Sequence, residues 1–145
     1  MKIPTSRFGT IEIQEEQIVH MPTGPIGFPD YRRFVLLEHK KGSPFLWFQS
    51  VDNESLAFVL MDPALFKPDY EVQISPEDTK TLELMDASAG VQTLVVVNIS
   101  RVEPYEITAN LLGPIIINAQ KKLAKQVVLY HTSYSTRHPI PAVKK

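Results

Sequence analysis

Four carboxylates, Asp52, Glu54, Asp69 and Glu71, flank turn signals in the middle of the chain. Paired carboxylates can serve acid–base catalysis or hold a divalent cation. Acids beside turns are more commonly solvated charges, and no further motif binds these four into a reacting set. The histidines His20, His39, His131 and His138 have no partner at a metal-ligand spacing. Ser50-Val51-Asp52 and Ser75-Pro76-Glu77 bring hydroxyls near carboxylates without a nucleophile elbow, and read as a strand end and a helix cap. Gly24 and Gly27 lead into Phe28-Pro29, whereas a phosphate-binding loop ends in Gly-Lys-Ser/Thr before a helix. They are expected to be structural glycines. The chain has no cysteine, which excludes a disulfide scaffold, a thiolate zinc site, an iron–sulfur cluster and a cysteine nucleophile. The residues therefore point to no catalytic, metal or cofactor site. Lys121, Lys122 and Lys125 could touch phosphates, but they lack interleaved aromatics and an RNA-motif signature.

The elements that must position these residues are mostly strands. The chain has 145 residues, the length of one domain. Proline is frequent, 12 residues, which disfavours a helical bundle and favours short elements with fixed turns. Thr10–Gln14 alternates polar and apolar, and Gln17–Met21 resumes an extended pattern after Glu15-Glu16, so the two read as a hairpin. Pro22–Pro29 is an ordered loop or lid. Strands are expected at Phe34–Glu38, Phe45–Ser50, Leu56–Met61, Tyr70–Ile74, Leu94–Ile99, Ile115–Asn118 and Gln126–Tyr130, with Leu56–Met61 central because both its faces are apolar. Ala119–Lys125 reads as a hairpin connection. One helix should start after Ser75, with Ser75 as N-cap, Pro76 in the first position and Glu77 and Asp78 at the positive end of the dipole, and run to about Met85. The fold class is therefore all-β in the main: a compact, barrel-like single domain of short strands over residues 1–130, with one short helix near 76–85. Residues 131–145 read as a variable, flexible tail. The longest apolar runs fall well short of the ~20 residues of a membrane helix, and the N-terminus has no signal-peptide core. A cytoplasmic location is the expected one.

Charge is unevenly spread. Residues 1–106 hold all 16 acids, and residues 107–145 hold six bases and no acid. Val51–Glu106 carries a net charge of −8. Such asymmetry marks a charged interaction surface unless folding interleaves the two parts. The segment Phe45-Leu46-Trp47-Phe48-Gln49 puts Phe45 and Trp47 on one face and Leu46 and Phe48 on the other. With one face in the core, the other offers large apolar groups to a partner; alternatively, the Pro22–Pro29 loop buries it.

Four segments taken together resemble the flagellar assembly factor FliW family of bacteria. They are Phe8–Ile13 with Ile18 and Pro22–Phe28; Pro44–Ser50 continuing through Leu56–Phe58; Asp62-Pro63 with Phe66 and Pro68–Tyr70; and Thr108–Pro114 with Ile117-Asn118 and Gln126–Leu129. They run in order across residues 8–129. Phe48 departs from the family's commoner leucine. The resemblance implies a β-barrel-like fold without catalytic activity, and two protein partners: flagellin and the RNA-binding translational repressor CsrA. In that scheme flagellin occupies the factor until it is secreted. The freed factor then binds CsrA and relieves repression of flagellin synthesis, a partner switch by mass action. The partner-contact candidates are Phe45, Trp47 and Gln49 on the aromatic strand, and Asp52, Glu54, Asp69, Tyr70 and Glu71 in the acidic stretch, with the free chain monomeric. Gly24 and Gly27 shape the structural loop. A small β-barrel that binds RNA directly is the alternative; it would need a basic groove with stacking aromatics. A carboxylate-based hydrolase has no supporting motif.

Overall fold

A nine-residue strand, Val91–Ile99, closes the main sheet on itself. In the computed structural model, which describes residues 1–38, 40–84, 90–100, 103, 106–130 and 132–140, the strands are β1 (Lys2–Thr5), β2 (Gly9–Glu12), β3 (Val19–His20), β4 (Arg33–Glu38), β5 (Phe45–Ser50), β6 (Ala57–Met61), β7 (Val91–Ile99), β8 (Ile107–Ala109), β9 (Ile115–Asn118), β10 (Leu123–Gln126) and β11 (His138–Pro139). β1 and β2 form a separate hairpin. The other nine strands run in the order β11-β8-β7-β6-β5-β4-β3-β10-β9, and β9 also pairs with β7. The first half of β7 takes β9, from Val91↔Asn118 to Leu94↔Ile115. Its second half takes β6 and β8. The ring from β7 through β9 makes the fold barrel-like and leaves little free sheet edge.

Inside the ring, Phe34, Phe48, Leu60, Leu94, Ile115, Ile117 and Met21 form the principal core. The Phe34 and Phe48 rings stack at 4.7 Å. The other faces of the strands are covered as well. Ile3, Ile13 and Ile18 lie against Val35 and Val51, and Leu111 and Ile140 lie against Met61, Val95 and Val97. A third cover is the helix α1 (Pro76–Thr81) with Leu82 and Leu84, set on Ile116, Val127 and Leu129. Ser75 caps α1 by accepting from the Asp78 N–H, and Pro76 begins it, as the sequence predicts.

Several expectations are corrected. The first hairpin is β1–β2, not Thr10–Gln14 with Gln17–Met21, because Glu15–Gln17 forms a 3-10 turn that carries the chain from the small sheet to the large one. Tyr70–Ile74 alternates but joins no ladder; its Val72 and Ile74 alternate because they pack onto the core. The last long strand is β10, three residues earlier than expected, with Lys121 and Lys122 left in the turn. The segment expected to fray is docked as far as Ile140: β11 pairs with β8, and Leu111 donates to the Ser135 carbonyl at 2.9 Å. The helix is shorter than expected: α1 ends at Thr81 with Leu82 as its C-cap, and Glu83 turns the chain away at φ 53°, so that Leu82 and Leu84 are buried. Met85 and the tail beyond Ile140 lie outside the described residues, as do His39 and His131. Among the described residues no helix is long and apolar enough to cross a membrane.

Candidate functional site

β5 spans Phe45–Ser50 as expected, with Phe48 fully buried on its inner face. The opposite face is covered, but not by the Pro22–Pro29 loop. Phe45 packs against Met61 and the second core. Trp47 is half-buried under the β1–β2 turn: Phe8 meets it edge-on at 6.0 Å, and the Arg7 guanidinium carbon stands 4.2 Å from its ring centroid. What remains exposed is a composite patch of Trp47, Phe8 and Arg7.

Gln49 is corrected as a contact candidate, because it is completely buried. Its Nε2 faces the carbonyls of Ser50, Asn53, Glu54 and Leu56 at 3.0–3.3 Å. The side chain clamps the β5–β6 turn from inside, adding a donor to carbonyls of which Asn53, Glu54 and Leu56 also accept backbone N–H groups. Asp52, on the outside of that turn, accepts from Arg33 in a two-pronged pair. The Arg33 pKa is raised, first by this hydrogen bond. Glu54 is exposed, and its carbonyl also accepts from the Ser6 N–H at 2.9 Å, tying the turn to the small sheet.

The four turn carboxylates do not converge. Asp52 and Glu54 lie at one end of β6, and Asp69 and Glu71 follow its other end; five extended residues separate the ends, ~17 Å. Asp69 and Glu71 instead join Glu77 and Asp78 along a groove of about 1280 Å³. One wall is the extended segment 69–75 leading into α1, and the other is the chain from Lys125 to Tyr130. Lys125 reaches across to the Asp78 carboxylate, and Lys67 pairs with Asp69 at 3.2 Å. Glu71 and Glu77 have no cation within ion-pair distance among the described residues, so the groove keeps a negative balance. Tyr70 is corrected to an anchor. Its hydroxyl donates to the Leu111 carbonyl at 2.6 Å, and its ring lies 4.8 Å from that of Tyr134. Burial, and then Tyr134, push its phenol above the ordinary range. Tyr134 in turn accepts from the Glu71 N–H at 3.1 Å, fixing the groove wall.

The Pro22–Pro29 loop is pinned through its second half. Phe28 meets Phe58 edge-on at 5.7 Å, and the Ile26 N–H donates to the Gln126 Oε1 at 2.9 Å. Gly24 has φ +67°, and a Cβ there would sit 2.6 Å from the Phe28 carbonyl oxygen and 2.7 Å from Pro29. Gly27 has φ +90° with open space around it. Only Gly24 is required by close packing as well as by backbone angle.

Arg7 and Tyr134 are site residues that the sequence leaves unmarked, and it marks Lys125 only as one of three lysines that could touch phosphates. Arg7 sits beside Phe8 in a turn, and Tyr134 lies in the segment taken as a tail. No local pattern ties any of them to its distant partner. Among the described residues no three His, Asp or Glu side chains gather as metal ligands.

This geometry defines a small barrel-like β protein whose distinctive surfaces are an aromatic–cation patch and an acidic groove. The comparison with known proteins gives the family. The family model described as FliW protein matches residues 2–140. The chain is 42% identical over 141 residues to the flagellar assembly factor FliW of Bacillus subtilis (strain 168), covering 97% of this chain and 96% of that protein. It is 41% identical over 140 residues to that of Natranaerobius thermophilus, covering 97% and 92%. A crystal structure of the flagellar assembly factor FliW superimposes with a TM-score of 0.89 at 37% identity, covering 98% of this chain and 99% of the other. The chain belongs to the FliW family.

Proposed function

We propose that this chain is a non-enzymatic flagellar assembly factor that acts in the cytoplasm by binding flagellin and antagonising the repressor CsrA. The observation that carries the reading is the family match across residues 2–140. Two surfaces of different chemistry suit two partners. The Phe8–Trp47 patch is apolar with one cation, the character of a contact for apolar segments that a filament subunit would bury on assembly. The groove bearing Glu71 and Glu77 is negative, which suits a repressor whose RNA-contacting surface must be basic. The same charge disfavours RNA as a direct ligand of the groove.

The test is titration of the purified full chain with flagellin and with CsrA by calorimetry, followed by a competition with labelled flagellin leader RNA. Release of RNA from CsrA on adding the chain, reversed by flagellin, is the expected result. Failure of both partners to bind would overturn the reading.

A further inference from the structure

Beyond β10 the chain runs on beside β9 to Leu129, and Tyr130 begins a turn; among the described residues one of its two edges is uncovered from Val127 onward. Val127 and Leu129 donate their N–H groups to the carbonyls of Pro114 and Leu112, at 3.0 and 2.9 Å. Backbone polar groups alternate between the two edges of a strand. Those of Gln126 and Val128 therefore point the other way, toward the edge that β9 does not cover, beside the groove that both residues line. β3 covers that edge only at Leu123, where it pairs with His20. After Met21 the proline-rich loop swings away from the backbone edge and meets it again only at the Gln126 side chain, through the Ile26 N–H. No described residue hydrogen-bonds to the Val128 backbone.

The groove around this edge is built for a chain. Its volume, about 1280 Å³, exceeds the ~300–1,000 Å³ usual for small-molecule pockets. Ile26, Val128 and Tyr130 stand along it with 57%, 39% and 76% of their surface exposed. Both lysines that line it are engaged, Lys125 by Asp78 and Lys67 by Asp69, so Glu71 and Glu77 are left to set its charge. An uncovered edge is a template for another strand.

We propose that this groove is a strand-addition site that takes an extended, basic segment of a partner protein. The segment's backbone pairs with Val128 and with Gln126 before it, as in other strand-addition complexes. Apolar side chains of the segment lie on Ile26, Val128 and Tyr130, and alternate lysines or arginines face Glu71 and Glu77. The four residues from Gln126 to Leu129 offer an edge of ~13 Å, which holds about four residues of the guest. The inference goes beyond the partners named above, since it concerns how the groove holds a chain, and its probes are synthetic. Its failure would therefore leave flagellin and CsrA binding untouched, and theirs would leave it standing.

The experiment uses the full chain, ¹⁵N-labelled, and blocked hexapeptides of alternating Val-Lys and of alternating Val-Glu, each to about millimolar concentration. With the Val-Lys peptide, hydrogen exchange of the Val128 amide should slow by at least about tenfold, as a newly paired N–H does. The Val-Glu peptide should leave it unchanged. Glu71→Lys with Glu77→Lys should weaken the Val-Lys peptide about tenfold or more. Val128→Pro removes the outward N–H at an edge position where proline is tolerated, and should abolish binding with the melting curve preserved. Should that variant fail to fold, N-methylation of the peptide replaces it: methyl groups on one set of alternate amides should abolish binding, and on the other set should spare it. No binding of the Val-Lys peptide, equal binding of both peptides, or binding that leaves the Val128 amide unprotected would overturn the proposal. So would protection of Val128 in the peptide-free chain together with a doubled mass, because a second copy would then fill the edge.

Discussion

The Arg7 guanidinium stands over the Trp47 ring, 4.2 Å from its centroid, and so joins the turn of the small hairpin to the middle of the main sheet. Forty positions of chain separate the two residues, and Phe8 completes the contact from the ring's edge. A half-buried tryptophan under such a cover serves both stability and surface chemistry. Arg7→Ala should lower stability by ~0.5–1 kcal/mol and leave the sheet intact. Trp47→Ala should cost about 3 kcal/mol, because the apolar cover of the β4–β6 face loses its largest member. A double-mutant cycle by denaturant unfolding should return a coupling between Arg7 and Trp47. Additive losses would show that the stacked geometry contributes nothing of its own. If this patch contacts flagellin, Arg7→Ala should also weaken flagellin binding by more than it weakens CsrA binding.

The two loop glycines should part company on mutation. Gly27→Ala places a Cβ in open space at φ +90°, so only backbone strain opposes it, about 1–2 kcal/mol. Gly24→Ala adds overlap with the Phe28 carbonyl and the Pro29 backbone at 2.6–2.7 Å. Backbone atoms cannot rotate aside as a side-chain tip can. The loss should exceed that of Gly27→Ala by a further ~1–3 kcal/mol, read from thermal melts of the two variants. Equal melting temperatures would show that the loop can shift as a body.

Tyr70 gives the fold an alkaline limit. Its folded-state phenol is raised above the ordinary value of 10.0, chiefly by burial. The unfolded chain loses that proton first as pH rises, so the folded state holds more protons above pH 10 and its stability falls there; below pH 10 both states keep the proton and the group contributes no pH dependence. Tyr70→Phe should flatten the stability profile above pH 10. At neutral pH it should cost ~1 kcal/mol through the lost hydrogen bond to Leu111. Urea unfolding across pH 8 to 11, taken as an approximate window from the ordinary tyrosine pKa, checks both parts.

What the residues disclose and what they hide follows from where the deciding contacts lie. β5 and β9 have the bounds read from their sequences, because each is an apolar run closed by turn residues and each is buried where its own pattern says. β1 escapes detection: Pro4 interrupts it, and it becomes a strand only because Gly9–Glu12 folds back on it. β11 has two residues, His138 and Pro139, with no periodicity, and exists because β8 lies beside it. The segment Tyr70–Ile74 has the right alternation for a strand, yet alternation records which side chains are buried and not whether a neighbour completes the ladder. For the site, the sequence marks Asp69 and Glu71 as acidic turn residues. It cannot show that Asp52 and Glu54 are carried to the far end of β6, or that Glu77 and the open edge after β10 come to face Glu71.

The cross-groove pair of Lys125 and Asp78 should matter more for shape than most surface ion pairs. Their side chains are only 21% and 19% exposed, and the pair ties β10 to the helix segment that forms the opposite wall. Asp78→Asn leaves a largely buried ammonium without its counter-charge, so a loss of ~1–3 kcal/mol is expected. It also frees Lys125 to offset Glu71 and Glu77. By contrast, Arg33→Ala opposite Asp52, where both side chains are 41% exposed, should cost no more than ~1 kcal/mol. Chemical denaturation of the two variants ranks them.

The groove's negative balance leads to a prediction about rates. Asp69 is compensated by Lys67 and Asp78 by Lys125, so Glu71 and Glu77, both exposed, dominate the field that an approaching basic protein meets. Charges at such a rim act on the encounter more than on the final complex, and salt screens them over ~10 Å at 0.1 M. Glu71→Lys with Glu77→Lys should therefore slow association with CsrA severalfold at low salt, with a smaller difference at moderate salt, and should weaken displacement of leader RNA. Dissociation should change little. Asp52→Lys with Glu54→Lys reverses two charges at the other end of β6 and serves as the control, with a smaller effect on the same rate. Flagellin binding should be nearly unaffected by either change if it rests on the Trp47 patch. Stopped-flow association at two salt concentrations decides the matter. If both double reversals slow CsrA alike, net charge is steering the encounter and the groove has no privileged part in it. If neither does, CsrA approaches a surface that carries none of these four acids.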